Sequence, residues 1–145
     1  MSWVRIWVHI VFTTKRRNHL LRTKEIRQAM FRHIKENAEK KDIYLNCING
    51  YTDHAHCLIS LGKEQSVSQI VQLMKGESSR WFNKQKFIPQ YFSWQDDYWA
   101  VGVSESHLSA VENYIHNQEK HHKVKTFQEE IDNFMEKYGW KFIKQ

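Results

Sequence analysis

Proline and glycine are scarce in this chain of 145 residues. One proline and five glycines leave no proline-rich or glycine-rich stretch that could serve as a linker. Only two cysteines are present, and Cys47 and Cys57 allow at most one disulfide and sit in no paired metal motif. No apolar run approaches the roughly 20 residues that span a bilayer. The opening Met1-Ser2-Trp3-Val4-Arg5 lacks the apolar centre and small-residue cleavage site of a signal peptide. No internal repeat is found. These absences predict one cytoplasmic domain over residues 1–145.

What the chain does have is core-forming material and positive charge. Hydrophobic content of 41% and aromatic content of 14% exclude a disordered chain, and the length suffices to bury a core without staples. The formal charge of +6 and a pI near 9.3 favour a polyanionic partner without identifying one. Between Thr13 and Arg27 the positive residues Lys15, Arg16, Arg17, Arg22, Lys24 and Arg27 face only Glu25. A solvated loop and helix start would account for that run; a phosphate-contacting segment is the functional alternative.

Val4, Ile6, Val8, Ile10 and Phe12 alternate with Trp3, Arg5, Trp7, His9 and Val11, which predicts a first strand with one apolar face. Thr23 caps a helix to about Lys41, with Ile26, Met30, Ile34 and Ala38 four apart. A second strand is expected over Ile43 to Ile48, with Asn49-Gly50 as its turn. Alternation resumes from Tyr51 to Leu61, placing Ala55, Cys57, Ile59 and Leu61 on one face and His54, His56, Leu58 and Ser60 on the other. A capping box, Ser66 with Gln69, opens a helix expected to bury Ile70, Leu73, Met74 and Trp81. Trp99, Val101 and Val103 read as the inner face of a fourth strand. A box of Ser109 with Glu112 predicts a helix over roughly 107 to 122. Another, Thr126 with Glu129, starts a helix with the stripe Phe127, Ile131, Phe134 and Tyr138, stopped by Gly139. The order βαββαβ predicts an α+β fold: a ferredoxin-like or RNA-recognition-type antiparallel sheet of four strands with helices on one face, plus a tyrosine-bearing helix and a C-terminal helix.

Two constellations carry chemistry. Nine histidines in 145 residues would yield roughly half an H-x-H by chance, so His54-Ala55-His56 is weak as a bare motif. Its setting is stronger, because residues two apart on a strand point the same way and two imidazoles can converge on one ion. With the apolar core on the opposite face, the pair is expected to look outward from the sheet; two idle surface histidines would share that pattern. Tyr114 and Gln118 are four apart and stack on one side of a helix, with His121 one turn beyond. Most tyrosine–glutamine pairs at this spacing are idle. A tyrosine of pKa about 10 needs activation before it attacks anything. Its phosphoester would conserve the energy of a broken phosphodiester, allowing a strand to be resealed without ATP.

In combination these residues resemble the HUH-superfamily single-tyrosine transposases of the IS-200/605 insertion-sequence family, along essentially the whole chain. The resemblance rests on His9-Ile10-Val11-Phe12-Thr13-Thr14-Lys15, Asp53-His54-Ala55-His56-Cys57-Leu58-Ile59, Phe92-Ser93-Trp94-Gln95 and Tyr114 through His122. It implies a transposase that cleaves and rejoins single-stranded DNA at element ends and recognises hairpins there. Tyr114 would be the nucleophile, leaving a 5′-phosphotyrosine and a free 3′-hydroxyl. His54, His56 and Gln118 would bind the divalent ion, usually magnesium or manganese in this family. Two imidazoles suit magnesium poorly, so manganese is expected to bind at least as well. Lys15, Arg16, Arg17 and Arg22 become the DNA-contacting residues, and His9 and His121 would support the site from behind its ligands. The resemblance further implies a homodimer in which the tyrosine helix of one subunit completes the other's histidine site. The small-residue passage Ala100–Ser106 is compatible with such a swing.

Rival readings are a non-catalytic single-strand binder stacking bases on Trp3, Trp7 or Tyr98, and a metal-independent phosphoesterase. A histidine-triad hydrolase would want a third alternating histidine where Leu58 stands, and a two-histidine phosphoesterase would want a pair of H-x-[ST] motifs, which the chain does not supply. Replication initiators and relaxases share the chemistry but are usually larger.

Overall fold

A computed structural model describes residues 1–122 and 126–137. Its strands are β1 (Ile6–Thr14), β2 (Tyr44–Tyr51), β3 (His54–Leu61) and β4 (Trp94–Val103). The helices are α1 (Lys24–Lys40), α2 (Val67–Gln85), α3 (Leu108–His116), α4 (Gln118–His122) and α5 (Phe127–Lys137). The strands form one antiparallel sheet in the order β2-β3-β1-β4. This is the expected α+β, ferredoxin-like arrangement, with β1 and β3 paired at the centre.

The main core lies between one sheet face and α1 with α2. Val8, Ile10 and Phe12 of β1 and Ala55, Cys57 and Ile59 of β3 meet Met30, Ile34 and Ala38 of α1 and Ile70, Val71, Met74 and Phe82 of α2. Each Val, Ile, Met or Phe side chain among them stabilises the fold by about 1.5–3 kcal/mol on full burial. Both helices begin where their caps were expected. Thr23 Oγ1 accepts from the Ile26 amide at 3.2 Å, and Ser66 Oγ from the Gln69 amide at 3.2 Å. On α2 the buried stripe runs through Val71 rather than Leu73, which is 50% exposed. Trp81 is half-buried and stacks on His33, ring centroids 4.0 Å apart.

Two expectations about the strands are corrected, and a bulge in β2 comes to light. Asn49-Gly50 is not a turn: β2 continues through both residues to Tyr51, and the reversal comes at Thr52-Asp53. The glycine serves a close approach instead, since a Cβ there would lie 2.0 Å from the carbonyl oxygen of His54. Between Leu45 and Cys47 the register against β3 shifts by one residue, with Leu45 opposite Ile59 and Cys47 opposite Leu58. This bulge at Asn46 sends Leu45 to the main core and Cys47 to the other face. Cys47 and Cys57 therefore lie on opposite sides of the sheet, both as free thiols. On β4 it is Tyr98 and Ala100 that reach the main core. Trp99 pairs with Val11 and Val103 with Trp7, which turns both toward the second face.

That second face is covered by the C-terminal helices. The helix expected over 107 to 122 is two, α3 and α4, separated at Asn117. The Ser109–Glu112 box is not its start. A 3-10 turn over Glu105–His107 leads in, with Ser104 Oγ 2.6 Å from His107 Nδ1, so Ser109 already lies inside the first turn. The Thr126 cap is made, Oγ1 accepting from the Glu129 amide at 3.2 Å. Of the expected α5 stripe, Phe127 is buried. Ile131 and Phe134 lie on the helical backbone, while Tyr138 and Gly139 fall outside the described residues.

Replacing Gly50→Ala should destabilise the fold by about 1–3 kcal/mol, because the methyl group meets backbone rather than a yielding side chain. Denaturant unfolding of the variant checks this; an unchanged midpoint would remove the close approach from the account.

Candidate active site

The residues singled out on β1 and β3 share one face because paired residues of an antiparallel ladder point the same way. His56 sits opposite Val11, His54 opposite Thr13, and Leu58 opposite His9. α3 lies across this face. Val111 and Ile115 pack on Cys47 and Leu58, while Asn49 Nδ2 donates to the His116 carbonyl at 3.1 Å and Asn46 Nδ2 to Glu112 Oε1 at 3.3 Å. With those two side chains facing the sheet, Tyr114 and Gln118 turn along it toward the histidine pair.

The histidines are not outward-looking surface groups. His54 and His56 are 0% and 1% exposed, sealed under α3, α4 and α5. His54 is held at both ring nitrogens, Nδ1 against Asp53 Oδ1 at 2.7 Å and Nε2 against Gln118 Oε1 at 3.0 Å. His9 Nε2 lies 2.9 Å from His56 Nδ1. Tyr114 packs its ring 5.5 Å from that of His56 and 5.0 Å from that of His121. Its hydroxyl donates to Glu130 Oε1, and Gln118 Nε2 donates to the same oxygen at 3.2 Å. All the residues predicted to form the site, His54, His56, Tyr114 and Gln118 with His9 and His121, are thus brought together within one chain. The passage into α3 does not swing it away: the turn at Glu105–His107 lays the helix on its own sheet.

A family model described as IS200-like transposase matches residues 2–118. The chain belongs to that family. Among solved structures, an assigned transposase of Deinococcus radiodurans R1 shares 21% identity at a TM-score of 0.64, over 81% of this chain and 93% of the other. A REP-associated tyrosine transposase bound to a REP hairpin shares 14% identity at a TM-score of 0.54, over 81% of this chain and 67% of the other. Both likenesses speak to the fold. A search of curated proteins finds no match.

In this IS200-like transposase, three residues at the site had not been picked out from the sequence. Asp53 orients His54, while His122 and Glu130 come from α4 and α5, beyond the matched residues. Glu130 carried a readable signal. It lies three residues after Phe127, on the apolar stripe of an amphipathic helix, where a carboxylate is buried only with partners. It is 5% exposed, hydrogen-bonded to His122 Nε2, 3.6 Å from His54 Nε2 and 2.7 Å from His56 Nε2.

The electrostatics follow from this enclosure. Burial first, and then the neighbouring His56, push His9 down to about 3. Burial likewise lowers His56 to about 4, against the raising influence of Glu130. Both rings are therefore neutral at physiological pH, the state in which an imidazole nitrogen can bind a metal. Burial alone would raise the Glu130 carboxyl, but the hydrogen bond from His122 and the close His56 ring outweigh it and hold it well below the usual carboxylate range. For Asp53, too, His54 outweighs burial and lowers the carboxyl.

The residues fit a cation on two observations. Ligand atoms of His54, His122 and Glu130 lie within 4.8 Å of one another. His56 Nε2 is buried and makes no well-directed hydrogen bond, although Glu130 Oε1 is close. A buried lone pair beside a carboxylate is satisfied by a cation.

The basic segment divides in two. Lys15, Arg16, Arg17 and Arg22 are exposed, whereas Arg27 is buried and pairs with Glu119 of α4 at 2.9 Å, which holds α4 from behind. Arg16 and Arg17 both adopt left-handed backbone, φ 59° and 55°. For non-glycine residues that conformation costs about 1–3 kcal/mol each and persists only when neighbours enforce it. Here the Lys15 amide donates to the Ser93 carbonyl at 3.0 Å and the Arg16 amide to Gln95 Oε1 at 3.2 Å. Arg17 Nη1 donates to Gln128 Oε1 at 2.9 Å. As for a base-stacking platform, His9, Val11 and His56 are buried, Tyr98 packs on the main core, and Trp7 packs against Tyr44; Trp3 alone of the three aromatics is fully exposed.

Proposed function

We propose that this protein cleaves and rejoins single-stranded DNA through a 5′-phosphotyrosine intermediate on Tyr114, with a divalent ion at His54, His56 and Gln118. One observation carries the reading. The only tyrosine hydroxyl hydrogen-bonded into the buried histidine cluster, among the described residues, belongs to Tyr114. The family supports transposition as the process, and a tyrosine positioned in this way is the group that such chemistry needs.

The step balances without a co-reactant. Tyr114 Oη forms a bond to phosphorus, the bond from phosphorus to the 3′-oxygen breaks, and the proton lost by the phenol is matched by one gained at the leaving 3′-hydroxyl. Attack of a 3′-hydroxyl on the phosphotyrosine reverses it and reseals a strand. A divalent ion at the histidine pair would supply charge neutralisation at the phosphate. Asp53 and His9 hold the two imidazoles in fixed orientation from behind. With imidazole ligands in the set, manganese should serve at least as well as magnesium.

The exposed Lys15, Arg16, Arg17 and Arg22 are the proposed phosphate contacts. The left-handed pair projects from the end of β1, the strand that also carries His9. A hairpin is the proposed partner, in line with the REP hairpin held by the tyrosine transposase of similar fold. A homodimer would bring two tyrosines to the two ends that transposition must exchange. Within each subunit Tyr114 stands in its own chain's site.

Incubation with labelled single-stranded DNA carrying the element's ends should yield a covalent adduct that Tyr114→Phe abolishes, with folding and hairpin binding nearly unchanged. Cleavage by the variant at the wild-type rate would overturn the mechanism. Mixing Tyr114→Phe with the His54→Ala, His56→Ala double variant separates the subunit arrangements. Sites complete within one chain predict that the exchanged mixture stays inactive. Return of cleavage would show that the tyrosine helices cross between subunits.

A further inference from the structure

We infer that Glu130 of α5, with His122 of α4, belongs to the metal site itself, so that this chain binds its ion with a carboxylate and an extra imidazole beyond the His54, His56 and Gln118 set. The inference rests on the metal reading above and deepens it. Three observations carry it. Glu130 is the only carboxylate, among the described residues, whose oxygens approach both histidines of the pair, at 3.6 Å from His54 Nε2 and 2.7 Å from His56 Nε2. The contact to His56 is close yet misdirected, leaving Nε2 without a hydrogen bond inside the protein. His122 Nε2 reaches the other Glu130 oxygen, and the donor atoms of His54, His122 and Glu130 fall within 4.8 Å of one another.

Charge explains why such a residue belongs there. Two imidazoles and an amide are neutral, so an ion bound by them alone keeps its full double charge in a site sealed from water, where an uncompensated charge is expensive. A carboxylate at the same place removes half of that charge. Atoms bound to one ion at about 2.1 Å stand roughly 3–4 Å apart, a spacing the site's close nitrogen and oxygen atoms already approach. The carboxylate also links chemistry to binding, since Glu130 Oε1 accepts the Tyr114 hydroxyl. An ion at this site would therefore sit beside the nucleophile. A mixed nitrogen and oxygen set favours manganese or zinc over magnesium.

Titration calorimetry of the full chain with manganese chloride, in the absence of DNA, tests the inference independently of catalysis. Glu130→Gln and His122→Ala should each weaken manganese binding by about tenfold or more. Glu130→Asp should recover part of the affinity, and circular dichroism should show each variant folded. Affinity within twofold of wild type in both folded variants would overturn the inference. So would tighter binding by Glu130→Gln, which would make Glu130 a competitor of the ion. The His54→Ala, His56→Ala variant distinguishes the two levels. If it loses binding while Glu130→Gln does not, the inference alone fails. If the wild type binds no ion, the metal reading fails and takes this inference with it.

Discussion

Polar groups buried between a sheet and a helical layer must satisfy one another, and that constraint organises the second half of this protein. His9, His54, His56, Gln118 and Glu130 are all at most 5% exposed. Each unpaired atom among them would cost about 1–3 kcal/mol, so their partners decide where the C-terminal helices lie. Gln118 ties the start of α4 to His54, His122 ties its end to Glu130, and Glu130 ties α5 to Tyr114. Apolar contacts add to this but do not choose the register. Phe127 packs on Val11 and Trp99, and Val111 with Ile115 on Leu58, surfaces that would accept small displacements more readily than a hydrogen bond does.

β3 shows how one strand serves two purposes. Its alternate residues Ala55, Cys57 and Ile59 anchor the main core, while His54, His56 and Leu58 build the second layer. Rigidity of the first face is what fixes the second. The close approach of Gly50 to the His54 carbonyl holds the strand end from which the first imidazole projects. Asp53, in the reversal just before it, closes on His54 Nδ1 and also binds the Thr14 amide through its carbonyl at 2.8 Å. The turn between β2 and β3 is therefore part of the site.

Local pattern made much of this legible in the sequence. Alternation in β1 and β3 assigned His9, His54 and His56 to one face, and the four-residue spacing put Tyr114 beside Gln118. The caps at Thr23, Ser66 and Thr126 rest on short-range geometry and stand where they were read. Features that depend on distant partners were not legible. The bulge at Asn46 changes which face Cys47 occupies, yet nothing in residues 43–48 announces it, because a bulge is defined against the opposite strand. Burial of the histidine pair depends on α3 to α5 folding back over the sheet, which a strand's own pattern cannot reveal. Glu130 was masked rather than silent: its place on the apolar stripe of α5 was readable, but a glutamate in the first turn of a helix is ordinarily explained by the helix dipole.

The central claim is that the phenol in the buried histidine cluster becomes the covalent link to DNA. Mass spectrometry of the trapped protein–DNA adduct, after protease and nuclease digestion, tests it most directly. The account predicts a nucleotide attached through its 5′-phosphate to the peptide containing Tyr114, with a free 3′-hydroxyl on the released strand. Attachment at any other residue, or a 3′-phosphate on the released strand, would contradict it.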